Sequence, residues 1–181
     1  MGPAVFSPDN KYLATRSAQD TARLWQLSDG KMTREFNLKS PNDSDLMTRV
    51  VFSPDWNVAA IVSEGEQSNK TQVRIRLMRI SDGSLLRELN EAAVDFDRAE
   101  NLAFNSDGTI LISTNALFIE NMIGQPRNGT EVNLWQVSDA RLVRQWEEQN
   151  VIFGVTVSAD GGWVALKDFE KTRIRQVNAF T

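Results

Sequence analysis

One four-residue pattern recurs four times along the chain, and no other feature narrows the possible folds as far. It reads Phe6-Ser7-Pro8-Asp9, Phe52-Ser53-Pro54-Asp55, Phe104-Asn105-Ser106-Asp107 and Val157-Ser158-Ala159-Asp160, at steps of 46, 52 and 53 residues. A second pattern trails it: Leu24-Trp25-Gln26-Leu27-Ser28-Asp29-Gly30, Leu77-Met78-Arg79-Ile80-Ser81-Asp82-Gly83, Leu134-Trp135-Gln136-Val137-Ser138-Asp139 and a reduced Arg175-Gln176-Val177-Asn178. Self-similarity at this period means an array of like units that bury their apolar faces against one another.

Inside each unit the apolar residues alternate, which is the period of a strand. Ala4 and Phe6 lie on one side of the first strand and Val5 on the other; Val50 and Phe52 oppose Val51, and Leu102 and Phe104 oppose Ala103. Both sides are apolar, so the strand is expected to be covered on both faces. A tight turn on Pro-Asp-Asn or Ser-Asp-Gly follows. Second strands are expected at 12–14, 58–62, 110–112 and 163–166, and third strands carry the tryptophan pattern. Asp29-Gly30 and Asp82-Gly83 then close short hairpins, because Asp-Gly accepts positive φ at low cost. Fourth strands fall at 32–36, 85–89 and 142–146, with Arg34, Arg87 and Arg144 in one aligned outward position. Four antiparallel strands per unit, repeated, describe the blades of a β-propeller. The expectation is an all-β chain: a single segment, 1–181, of about four four-stranded antiparallel blades at 4–36, 47–89, 100–146 and 151–181, the last lacking its outer strand.

The Phe-Ser-Pro-Asp and Leu-Trp-Gln-Leu-Ser-Asp-Gly patterns resemble a bacterial-type WD40 repeat over nearly the whole chain, most closely in repeats one and three. That family usually carries Trp-Asp where this chain has Trp25-Gln26 and Trp135-Gln136, with Met78 and Arg175 in the other slots. Its Gly-His pair is missing, and its aspartate six residues before the tryptophan is replaced by Gln19 and Gly129, Asp20 standing one step out of register. The resemblance therefore implies blades held by apolar packing without the family's buried hydrogen-bond network. It implies a non-catalytic protein–protein interaction scaffold, part of a larger propeller-containing bacterial signalling or sensor protein. Two alternatives stay open: a propeller enzyme of the hydrolase or lyase type, and a truncated fragment without function. The enzyme would need carboxylates recurring at the inner end of the first strands, where this chain is apolar. WD40 rings usually hold about seven blades, so a run of four implies a portion of a longer propeller, or self-association that covers the open ends.

Composition removes several classes of function. The chain has 181 residues, a net charge of −4, no cysteine and no histidine. The usual zinc ligands and the commonest general base are therefore missing. Nothing in this charge balance draws the chain to nucleic acid, and no apolar stretch approaches the ~18 residues of a membrane span. Asp43-x-Asp45 and Asp95-x-Asp97 lack the glycine and glutamate of an EF-hand loop. No metal, cofactor or catalytic residue is expected, and the expected location is the cytoplasm.

Candidate binding residues come from where the repeats differ. The turns at one end of each unit are short, whereas the connections expected at 37–46, 64–71, 90–100 and 115–131 vary in length and share the opposite rim. Loops on a rigid scaffold are where binding usually resides. With 147–150 they hold twelve acids, Asp95, Asp97, Glu131, Glu147 and Glu148 among them, against four basic residues. This charge pattern fits a protein partner with a basic surface. Within the rim, 116–124 is unusually apolar: Leu117, Phe118, Ile119, Met122 and Ile123 form either an amphipathic turn that docks a partner or an extension of the second strand. Trp56 stands in a tight turn where repeat one has Asn10, a position suited to an interface anchor.

Overall fold

The computed structural model describes residues 4–16, 21–37, 46–67, 70–90, 99–120 and 126–177. They form four antiparallel sheets, each a simple meander in chain order. The first sheet contains β1 (Val5–Phe6), β2 (Tyr12–Arg16), β3 (Thr21–Gln26) and β4 (Met32–Asn37). β5 (Leu46–Phe52), β6 (Val58–Gln67), β7 (Lys70–Arg79) and β8 (Leu85–Asn90) form the second. The third is β9 (Ala99–Phe104), β10 (Ile110–Glu120), β11 (Pro126–Gln136) and β12 (Arg141–Glu148). The fourth has three strands among the described residues: β13 (Gly154–Val157), β14 (Trp163–Lys167) and β15 (Thr172–Gln176). No helix among the described residues is long and apolar enough to cross a membrane.

The repeated tetrapeptide has a direct physical role in the turn between the first two strands of each sheet. The Ser7 hydroxyl donates to Asp9 at 2.6 Å and accepts the Tyr12 N–H at 2.9 Å, so one side chain ties the turn to the next strand. Ser53 does the same with Asp55 and Val58, and Ser158 with Asp160 and Trp163. Asn105 replaces the serine in the third sheet, its amide oxygen accepting the Ile110 N–H at 2.9 Å. The fourth turn residue always has positive φ: Asn10 at 55°, Trp56 at 58°, Gly108 at 76° and Gly161 at 70°. The second hairpin follows the Asp-Gly expectation with Gly30 at 67° and Gly83 at 73°, but the third repeat puts Ala140 there at 61°.

The sheets pack face to face in series, because β6, β10 and β11 are apolar on both sides. Ala59 and Ile61 join Ala22 and Val50 in a core between the first two sheets. Their neighbours Ala60 and Val62 point the other way, joining Ile75, Leu111 and Trp135 between the second and third. Ile110 and Ile112 then meet Val164 and Leu166 between the third and fourth. The strands β5, β9 and β13 lie beside one another along this series. Arg34, Arg87 and Arg144 are exposed and register with Leu24, Leu77 and Leu134, the aligned position expected.

Three expectations need correction. The segments 64–71 and 115–131 are mostly strand rather than loop, pairing as far as Gln67↔Lys70 and Glu120↔Pro126. Apolar packing does not act alone: Trp25 Nε1 donates to Thr15 Oγ1 at 2.8 Å and Trp135 Nε1 to Ser113 Oγ at 3.0 Å. Asn101 and Asn105 also donate across the seam to the Ile152 and Ala159 carbonyls. Finally, two presumed rim acids are occupied. Glu131 accepts from Gln145 at 2.6 Å and Asn133 at 2.8 Å, and Glu148 is buried.

Glu148 explains the weakened fourth repeat. Arg175 stands where Trp25 and Trp135 stand in their units, and its guanidinium grips both oxygens of Glu148 on the third sheet. Trp146 Nε1 donates to the same carboxylate at 3.0 Å, and Arg173 lies 3.6 Å away. Arg173 also pairs with buried Asp168 at 2.6 Å. An ionic clamp thus occupies the place of a buried aromatic ring.

Two predictions follow from these contacts. An alanine at positive φ carries Cβ strain that glycine lacks, so Ala140→Gly should raise the unfolding free energy by about 0.5–1 kcal/mol, measured by urea denaturation. The second concerns acid. The Asp168 carboxyl is held at about 2 by the Asn150 amide, the Lys171 and Glu170 N–H groups and Arg173. Its folded pKa lies below its unfolded value of about 3.9, so its stabilisation is full above pH 4 and disappears as pH falls toward 2. The urea midpoint should therefore drop across that window. Asp168→Asn, less stable than the parent at pH 7, should converge with it near pH 2.

Candidate functional site

A groove of about 510 Å³ opens between the first and second sheets, at the end that carries the tight turns. At this seam two repeat positions carry small residues. The second and third sheets put Ile75 opposite Leu111 across their seam, and the third and fourth put Val132 opposite Val164. At the first seam the equivalent pair is Ala22 and Ala59. With little side-chain volume between them the sheets leave a small apolar void beside Ala22, Val50 and Ile61, and the seam widens at its turn end into the groove. The corresponding turns of the second and third sheets sit close instead: a Cβ at Gly108 would lie 3.5 Å from Pro54.

The groove walls are aromatic, proline and carboxylate. Tyr12, Pro8 and Asp9 come from the first sheet's turn, and Pro54, Asp55 and Trp56 from the second's. Leu24 and Ile80 form apolar floor, and Arg34 also lines the space. The Ser7 hydroxyl and the Lys11 N–H lower the Asp9 pKa below the ordinary carboxylate range. Partial burial pushes Asp55 upward, but the Ser53 hydroxyl with the Asn57 N–H and side chain outweigh it, and its pKa also falls. Both groups are therefore anionic at neutral pH.

Trp56 is the unusual member. Its φ of 58° is one that glycine or asparagine adopts easily and a bulky residue does not, and its turn equivalents are Asn10, Gly108 and Gly161. It is half-buried, its indole stacked on Phe52 with ring centroids 5.2 Å apart. Strain of this kind clusters at functional sites, which makes Trp56 a candidate.

Trp56 alone of the sequence-derived candidates lines this groove. Leu117, Phe118 and Ile119 lie in β10, whose paired extension toward Pro126 runs away from the turn end. The extended backbone of 116–120 replaces the amphipathic-turn reading with the strand-extension one. Met122, Ile123, Asp95 and Asp97 lie outside the described residues. Sequence reasoning missed the groove itself, whose signal was the coincidence of alanine at 22 and 59, two repeat positions that are large elsewhere. Among the described residues no group of three or more His, Cys, Asp or Glu side chains is placed to hold a metal ion. The chain matches no protein-family model and no curated protein sequence.

Trp56→Gly separates strain from packing. Relief of positive φ favours glycine by about 1–2 kcal/mol, and loss of the Phe52 stack opposes it by about 0.5–1.5 kcal/mol. The net change in unfolding free energy should stay within about 1 kcal/mol. By contrast Trp135→Ala, in the core, should lose about 3–5 kcal/mol in the same urea titration.

Proposed function

We propose that the four sheets are consecutive blades of a WD40-like β-propeller and that the chain is a non-catalytic scaffold which binds a protein partner. The resemblance of the repeats also favours a place within a larger bacterial signalling or sensor protein, in the cytoplasm. Three observations support the propeller reading: the meander order of each sheet, the serial packing through two-faced strands, and the neighbouring first strands.

The observation that carries the binding role is Trp56, held in a strained backbone beside a groove with two anionic carboxylates. A flat aromatic surface next to fixed negative charge attracts a lysine or arginine side chain, by cation–π contact and by charge. Pro8, Pro54 and Tyr12 add the rigid apolar wall against which an extended segment lies. The partner is therefore a protein that presents an exposed basic segment.

Isothermal titration with short peptides tests this. Peptides carrying lysine or arginine beside an apolar residue should bind, and their acidic counterparts should not. Trp56→Ala and Asp55→Asn should each weaken binding at least about tenfold, which corresponds to 1.4 kcal/mol, without a matching loss of thermal stability. Equal binding of basic and acidic peptides, or affinity unchanged in both variants, would remove the groove as the site.

A further inference from the structure

The four sheets repeat one interface, and among the described residues its two halves are exposed on the first and fourth sheets. In each sheet one face points to the sheet before it. That face carries Phe52, Ala59 and Ile80 in the second sheet and Phe104, Leu111 and Val137 in the third, all packed into cores. The same positions in the first sheet are Phe6, Leu13 and Leu27. Phe6 is 59% exposed and Leu27 39% exposed. The opposite face points to the next sheet through Val58, Ala60 and Leu77 in the second and Ile110, Ile112 and Leu134 in the third. In the fourth sheet these positions are Trp163, Ala165 and Ile174. Ile174 is 70% exposed, against 1% for Leu77 and under 1% for Leu134, and Trp163 is 46% exposed.

We infer that the exposed face of the first sheet receives the exposed face of the fourth sheet of a second copy, head to tail. The two faces are not alike, so a self-matched contact would set each against the wrong shape. They are, however, the two halves of a contact that the chain already makes three times internally. Phe6 and Leu27 then meet Trp163 and Ile174 as Phe104 and Val137 meet Val58 and Leu77 within the chain. Two copies contribute eight sheets, which is within the range of about four to eight at which such rings close. A head-to-tail contact that closes after two copies yields a finite dimer rather than a fibre. This assembly is independent of the groove, which lies at the seam between the first two sheets of one copy.

Sedimentation velocity on the full chain, with two face variants, decides the matter. The parent should be a dimer from micromolar to hundred-micromolar concentration. Leu27→Lys, on the first sheet, and Ile174→Lys, on the fourth, should each be monomeric and still unfold cooperatively, at a temperature that no longer depends on protein concentration. Mixed in equal amounts, they should form a one-to-one complex, because each supplies the face that the other has lost. A monomeric parent would overturn the inference and leave the faces to another occupant, such as further sheets of one polypeptide. Growth beyond the dimer would overturn closure. A single variant that still dimerises, or a mixture that stays monomeric, would overturn the head-to-tail pairing. Should either variant fail to fold, Trp163→Lys and Phe6→Glu test the same two faces.

Discussion

The structure depends on strands that are apolar on both sides. A sheet built on β6 or β10 hides one face against a neighbour and still presents Ala60 and Val62, or Ile112, on the other. Such a sheet is not stable as an isolated unit, and it is not stable as half of a two-layer sandwich. It needs a neighbour on each side, which forces sheets into a series rather than a pair. Every other feature is a consequence of keeping that series in register. The Ser–Asp turns fix where each second strand begins, and the strand's pleat then decides which residues point forward and which back. A one-residue slip would reverse the faces, so the hydrogen bonds of Ser7, Ser53 and Ser158 set packing as well as turn shape.

Where a repeat loses a packing residue, the neighbouring sheet supplies a compensation or the seam opens. Arg175 in the tryptophan slot is the first case. The buried member of the pair is Glu148, which Arg175 holds from the half-exposed side with two contacts while Trp146 donates to the same carboxylate. Removing Arg175 would weaken the compensation of a buried charge, whereas removing Glu148 would leave an arginine that water can still reach. Ala22 and Ala59 are the second case. A small apolar void beside Val50 and Ile61 remains at this seam.

The strands were readable in the chain because alternation and turn chemistry are local. Phe52 against Val51, and Asp29-Gly30 or Asp82-Gly83 at the hairpins, carry their meaning within a few residues. The extension of β10 was one of the readings the sequence left open, but its partner in β11 was not readable: Asn128, Gly129 and Thr130 have the composition of a loop, yet they pair with Phe118, Leu117 and Ala116. Their strand character comes from continuing a ladder already begun at Ile110↔Gln136, which composition does not record. Glu148 was read as a solvated rim charge for a similar reason, since Arg175 is 27 residues away and reaches it only once the third and fourth sheets are packed. The groove needed the same tertiary step. Trp56 was conspicuous in the sequence as a large residue in a tight turn, but the space beside it exists only once the first two sheets are packed.

The strained tryptophan lies at the seam whose paired repeat positions, Ala22 and Ala59, are smallest. At the second seam the residue equivalent to Trp56 is Gly108, where a Cβ would already be in van der Waals contact with Ser53 and Pro54 of the turn below. At the first seam the corresponding turns border the groove, which gives the indole room. The stack on Phe52 then offsets part of the backbone strain without filling the groove, which leaves the indole and two carboxylates lining the open space. Replacing either alanine with a larger residue would put side-chain volume into the void beside Val50 and Ile61 rather than into the groove, which neither alanine lines. The seam that displays the most unusual turn residue is thus also the one where the repeat carries its smallest side chains.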